Sequence, residues 1–167
     1  LEVEDSFYMT LFPDAIENTL YSFDESYVLE SYLTAGTGYW LRFEEAGTTT
    51  ITGPTISELT LNLNADWNLI TGITTAVFVY SIGDPDGVII ENTLFGFSDG
   101  YFLTEELLPG KGYWIRAYEE GDIILTSGGL AKTSPRDLSV KANTLNINGS
   151  ELYFGVELSA RERLSYS

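Results

Sequence analysis

Trp40 and Trp114 each stand two positions ahead of an arginine, Arg42 and Arg116, inside the same short phrase. The stretch "LTAGTGYWLRFEEA" occupies residues 33–46, and "LLPGKGYWIRAYEE" occupies 107–120, 74 positions later. On an extended strand alternate side chains share a face. That places Trp40 with Arg42 and Glu44, and Trp114 with Arg116 and Tyr118. A guanidinium two residues from an indole can stack on it for about 0.5–2 kcal/mol. Two roles suit such a face: closing a sheet edge or a seam between two halves, or offering aromatic platforms to sugar rings. Trp40, Arg42, Trp114 and Arg116 are therefore the candidate ligand-binding residues. The opposite faces, Tyr39, Leu41, Phe43 and Tyr113, Ile115, Ala117, are apolar and expected to point into a core. Loss of either tyrosine ring is expected to cost about 2–4 kcal/mol.

Other chemistry finds less support. The chain holds no histidine and no cysteine, which removes the usual general base, the usual zinc ligands and any disulfide framework. Glycoside hydrolysis needs only two carboxylates. Glu25 aligns with Asp99 across the 74-residue interval, in the manner of a pseudo-twofold acid dyad. Neither copy carries the Asp-Thr/Ser-Gly triplet of such a dyad, and no catalytic residue is assigned. The doublets Glu44-Glu45, Glu105-Glu106 and Glu119-Glu120 and the turn Asp84-Pro85-Asp86-Gly87 offer oxygen ligands for calcium. None has the spacing of a calcium loop. They read as a solvated acidic face, with no metal and no cofactor.

The charge balance narrows the partners. With 25 acidic against 8 basic residues the formal net charge is −17, which opposes nucleic acid and anionic membrane surfaces. No apolar run approaches the roughly 20 residues of a membrane span. An apolar content of 44% across 167 residues suffices for a sizeable core. The chain opens at Leu1 and closes on "RERLSYS", which reads as a piece of a longer protein.

The repeat extends well beyond the tryptophans. Residues 16–53 align with 90–127 without a gap, and 17 of the 38 pairs are identical, including "IENTL" at 16–20 and 90–94. The intervening elements read as β. "ISELTLNLNADWNLI" (56–70), "AVFVYSI" (76–82), "GVIIENTLFGF" (87–97), "TTTITG" and "DIILTS" are rich in β-branched and aromatic residues. Turn chemistry at Asp84–Gly87, Ser98–Gly100, Pro109-Gly110 and Asn148-Gly149 separates them. "TEELL" (104–108) and "ESYLT" (30–34) are the places for a single helical turn.

The resulting expectation is an all-β protein of two tandem, pseudo-twofold related β units, built as a sandwich or as small barrels. The boundaries are 1–58 for the first unit, 59–128 for the second, and 129–167 for a linker and C-terminal β-hairpin. "TLNIN" (144–148) echoes "TLNLN" (60–64), and the first unit has no clear opening strand of that kind. The hairpin is expected to dock on the repeats through Leu145, Ile147, Leu152 and Phe154, covering an open edge.

The phrases "DWNLITGI", "SDG…LLPGKGYWIRA" and "GDIILTSGG" resemble repeat modules near the C-terminal ends of large exported proteins. Those proteins belong to marine and sediment bacteria related to the Bacteroidetes. The closing "TLNINGSELYFGVELSARERLSYS" is similar to the approach to a sorting segment read by the type IX secretion machinery. The resemblance implies an extracellular or cell-surface location, with neighbouring domains of a parent protein as partners. The function expected is a non-catalytic accessory module acting as spacer, scaffold or adhesion element. The alternative is a carbohydrate-binding module that meets a glycan through the Trp/Arg pairs.

Overall fold

The computed structural model describes residues 6–128, 143–147 and 150–154, the last two segments by their backbone. The chain divides into two compact units, Leu1–Leu130 and Ala131–Ser167. The first begins with one helical turn, α1 (Tyr8–Leu11), followed by the strands β1 (Tyr21–Asp24) and β2 (Ser26–Leu29). Then come β3 (Glu58–Leu63), β4 (Asp66–Thr71), β5 (Val77–Phe78) and a 3-10 turn at Val79–Ser81. β6 (Phe95–Phe97), β7 (Tyr101–Leu103), β8 (Glu106–Leu107), β9 (Gly112–Ala117) and β10 (Gly121–Thr126) complete it. The fold is all-β and sandwich-like, and among the described residues no sheet closes into a barrel.

Alternation decides which faces meet. β4, β9, β6 and β7 form one antiparallel sheet in that order, and β3 pairs with β10 over its whole length. Leu61 and Leu63 of β3, Ile123 and Leu125 of β10, Ile70 of β4, and Tyr113, Ile115 and Ala117 of β9 join in one buried cluster. Each fully buried Leu or Ile in it contributes about 1.5–3 kcal/mol. The predicted inward face of the second Gly-x-Gly-Tyr-Trp strand is therefore the core face. A smaller cluster, Tyr8, Ala15 and Leu20, serves the first repeat, with Tyr39 and Leu41 packed against it.

The two repeats keep the same hydrogen-bond geometry at the interval of 74. Tyr21 pairs with Leu29 as Phe95 pairs with Leu103, and Tyr21 bridges Trp40 as Phe95 meets Trp114. Ala15 bridges Phe43 as Ile89 bridges Ala117. The shared "IENT" has a physical reason. Asn18 and Asn92 take left-handed backbone, φ 58° and 59°, which asparagine tolerates well. The next residue then closes the turn: Thr19 and Thr93 donate their hydroxyls to Ile16 O and Ile90 O, each at 2.6 Å. The same hydroxyls accept from the backbone N–H of Arg42 and Arg116 at 3.3 and 3.2 Å. Thr93→Val keeps the shape and removes both bonds. It is expected to cost about 1–2 kcal/mol in chemical denaturation, and Thr19→Val a similar amount.

Several elements depart from the sequence reading. "GVIIENTLFGF" is strand only over Phe95–Phe97, because the left-handed Asn92 interrupts it. "TEELL" supplies β8, which pairs with Val77–Phe78, and the single helical turn sits at Tyr8–Leu11 instead. "ESYLT" likewise bridges through Tyr32 to Phe7. "TTTITG" (48–53) forms no strand among the described residues, whereas 122–126 of its counterpart in the second repeat lie in β10 and pair with β3.

In the second unit, β11 (Asn143–Ile147) and β12 (Ser150–Phe154) pair antiparallel, with Leu145 opposite Leu152. The burial expected of Leu145, Ile147, Leu152 and Phe154 concerns side chains outside the described residues. The predicted Asn148-Gly149 turn also lies outside the described residues.

Candidate functional site

Trp114 and Arg116 lie on β9, and Trp40 and Arg42 on the equivalent bridged segment of the first repeat, yet their contacts are not those of the sequence reading. Trp40 and Trp114 are half-buried, and Arg42 and Arg116 are exposed. Each indole meets a phenylalanine of the other repeat. Phe23 stands edge-on to Trp114, with ring centroids 4.7 Å apart at 77°, and Phe97 to Trp40, 5.0 Å apart at 81°. Phe23 and Phe97 are themselves 74 positions apart, so the exchange is reciprocal. Behind them Tyr27 packs on Phe23 and Tyr101 on Phe97, again edge-on, at 5.7 and 5.3 Å. Edge-to-face pairs at such separations contribute about 0.5–1.5 kcal/mol beyond the area they bury. The two tryptophans thus stitch one repeat to the other.

The Arg–Trp stacking along one strand is corrected. Among the described residues, the guanidinium-over-indole contact is Arg116 over Trp67, at 5.8 Å. Trp67 is the cross-strand partner of Arg116 in the β4–β9 ladder, and side chains directly opposite approach more closely than those two apart on one strand. Asp66, just before it, forms an ion pair with Arg116. Both partners are largely exposed, so the pair contributes at most about 1 kcal/mol. Trp67 also packs on Phe95 at 6.0 Å and Trp114 at 6.4 Å, which leaves a partly exposed aromatic face on this sheet. The sequence reading overlooked Trp67. Its signal was an indole inside the alternating stretch before the second repeat.

The indole Nε1 atoms of Trp40 and Trp114 are both buried, with no hydrogen-bond partner among the described residues. Buried, they offer no donor to a ligand in solvent. Chain comparisons add no relative. No family model, no curated protein and no solved structure matches this sequence.

The two glycines of the motif do different things. Gly36 and Gly110 take positive φ, 88° and 72°, and provide the turn that enters the strand. Gly38 makes room, though for backbone and not for a ring: a Cβ there would lie 2.6 Å from the carbonyl oxygen of Ile70. Gly38 N–H donates to Leu69 O at 2.9 Å, and Thr71 N–H to Gly36 O at 2.9 Å, so β4 runs against this turn. At the equivalent Gly112 the nearest atoms would be 3.8 Å away. Gly38→Ala is expected to destabilise by about 1–3 kcal/mol, and Gly112→Ala by much less, as read from thermal melting.

The acidic residues serve turns and surface. Asp84 accepts from the N–H of Val88 at 2.8 Å through Oδ1 and of Ile89 at 3.2 Å through Oδ2, which shapes the Asp-Pro-Asp-Gly turn. Glu25 and Asp99 occupy the tips of the β1–β2 and β6–β7 hairpins, both at φ 56°. Among the described residues no three acidic side chains gather as a metal site would require. No helix there is long and apolar enough to cross a membrane.

Proposed function

We propose that this chain is a non-catalytic structural module of a secreted or cell-surface protein, a spacer or scaffold between neighbouring domains. The observation that carries the reading is the reciprocal ring exchange, Phe23 on Trp114 and Phe97 on Trp40. The most distinctive residues of the repeat face each other across a seam, and their polar N–H groups are closed off. A strongly acidic, cysteine-free chain rich in β structure suits such a part.

A second reading, a carbohydrate-binding module, draws on what remains exposed. Trp67, under the exposed guanidinium of Arg116, is 36% exposed, and Tyr27 and Tyr101 are more than half exposed. Titration with a panel of soluble polysaccharides, followed by tryptophan fluorescence and calorimetry, separates the two. The structural reading expects no saturable quenching with any of them. A saturable response lost in Arg42→Ala or Arg116→Ala, with unchanged melting temperature, would establish the binding module instead.

A further inference from the structure

The two repeats are matched in sequence but not in cover. In the second, β4 pairs with β9 and β3 with β10, and the positions beneath are closed: Ile115, Ile123 and Leu125 are 0% exposed and Ala117 is 2%. The equivalent positions of the first repeat are open. Leu41 and Ile51 are half-buried, Thr49 is exposed, and Phe43 is 42% exposed. Among the described residues, 38–43 form no ladder: Gly38 N–H donates to Leu69 O of β4, the bridges Trp40–Tyr21 and Phe43–Ala15 lie on the other side, and 47–52 meet no strand. The β-branched run "TTTIT" (48–52) is thus a strand sequence without a ladder.

The covering element is visible in the same molecule. It is two strands separated by two residues, with Thr-Leu-Asn-Leu-Asn at 60–64. The chain spells it again as Thr-Leu-Asn-Ile-Asn at 144–148, whose first four residues lie in β11, and β11 and β12 are also two residues apart. In chain order the covering strands precede the repeat they cover, and 143–154 follows both repeats. We propose that this face of the first repeat is an assembly site for a second copy of the chain. β12 and β11 of one copy pair with residues 39–43 and 47–52 of the next, as β4 and β3 pair with β9 and β10. An isolated two-stranded hairpin is marginal in water, so exchanging its own ladder for two sheet edges costs little. The contact is heterologous and propagates head to tail. Each copy carries −17, so repulsion opposes it at low ionic strength and weakens as salt shortens the screening length from about 30 Å at 0.01 M to about 8 Å at 0.15 M.

Sedimentation of the full chain over a wide concentration range, at low and high salt, tests this alongside amide hydrogen exchange. The expected result is association that strengthens with salt, with the amides of 39–43 and 47–52 gaining protection in step. Thr49→Pro, at an exposed position of the acceptor, and Leu145→Asp, in the donor, should each weaken association at least tenfold. Mixed together, the two variants should form dimers and nothing longer, since each retains one intact end. A chain that stays monomeric at every concentration and salt overturns the proposal, whether those amides exchange freely or are already protected. Association indifferent to both substitutions overturns it too.

Discussion

Tyr113→Ala is expected to destabilise the chain by about 3–5 kcal/mol, and Tyr39→Ala by only about 1–2 kcal/mol, although the two occupy the same place in an identical phrase. Their hydroxyls do the same work: each accepts a backbone N–H five residues back, from Leu108 and from Thr34, both at 2.9 Å. Tyr→Phe should therefore cost the same small amount at both positions, about 1 kcal/mol. The rings differ in cover. Tyr113 is 3% exposed inside the larger cluster, beside Leu61, Ile70 and Ile123, while Tyr39 packs at the margin of the smaller one. The equal loss expected from sequence alone is thereby revised, because among the described residues β3 and β4 form full ladders with the second repeat and meet the first only at its Gly36–Gly38 turn. Chemical denaturation of the four variants checks this. Equal costs for the two alanine variants would mean that the first repeat is closed in solution by something of equivalent bulk.

The second large effect concerns the seam. Trp40→Ala and Trp114→Ala should each cost about 2–4 kcal/mol, since a half-buried indole carries a large apolar area and an edge-to-face partner in the other repeat. The disturbance should appear in the other repeat. In Trp40→Ala the resonances of Phe97 and Tyr101 are expected to move more than those of Tyr27, and in Trp114→Ala those of Phe23 and Tyr27 more than Tyr101. The ring geometry requires this, because Phe97 bridges Trp40 and Tyr101 while Phe23 bridges Trp114 and Tyr27. Shifts confined to the substituted repeat would contradict it.

Local features were legible in the sequence where local physics sets them. Strict alternation put Tyr113, Ile115 and Ala117 on the core side, and the structure buries all three. Turn chemistry located Gly87, Asp99 and Gly110, each with positive φ. Partners distant in the chain were not legible. Alternation says that Trp114 and Arg116 share a face, but the ring opposite Arg116 is fixed by the β4–β9 register, which no single strand encodes. The crossed pairing of Phe23 with Trp114 was hidden for the same reason. An interval of 74 reveals equivalent residues and is silent on which of them touch. "TTTITG" shows the converse failure: its propensity for strand is sound, and a strand still needs a neighbour to pair with.

The central claim is that the repeated motif holds the two repeats together through exchanged rings, and double-mutant cycles measure it most directly. Phe23→Ala combined with Trp114→Ala, and Phe97→Ala combined with Trp40→Ala, should each show a coupling energy of about 0.5–1.5 kcal/mol in chemical denaturation. The same-repeat combinations, Phe23 with Trp40 and Phe97 with Trp114, should be additive within about 0.3–0.5 kcal/mol. Additive crossed pairs together with coupled same-repeat pairs would contradict the account.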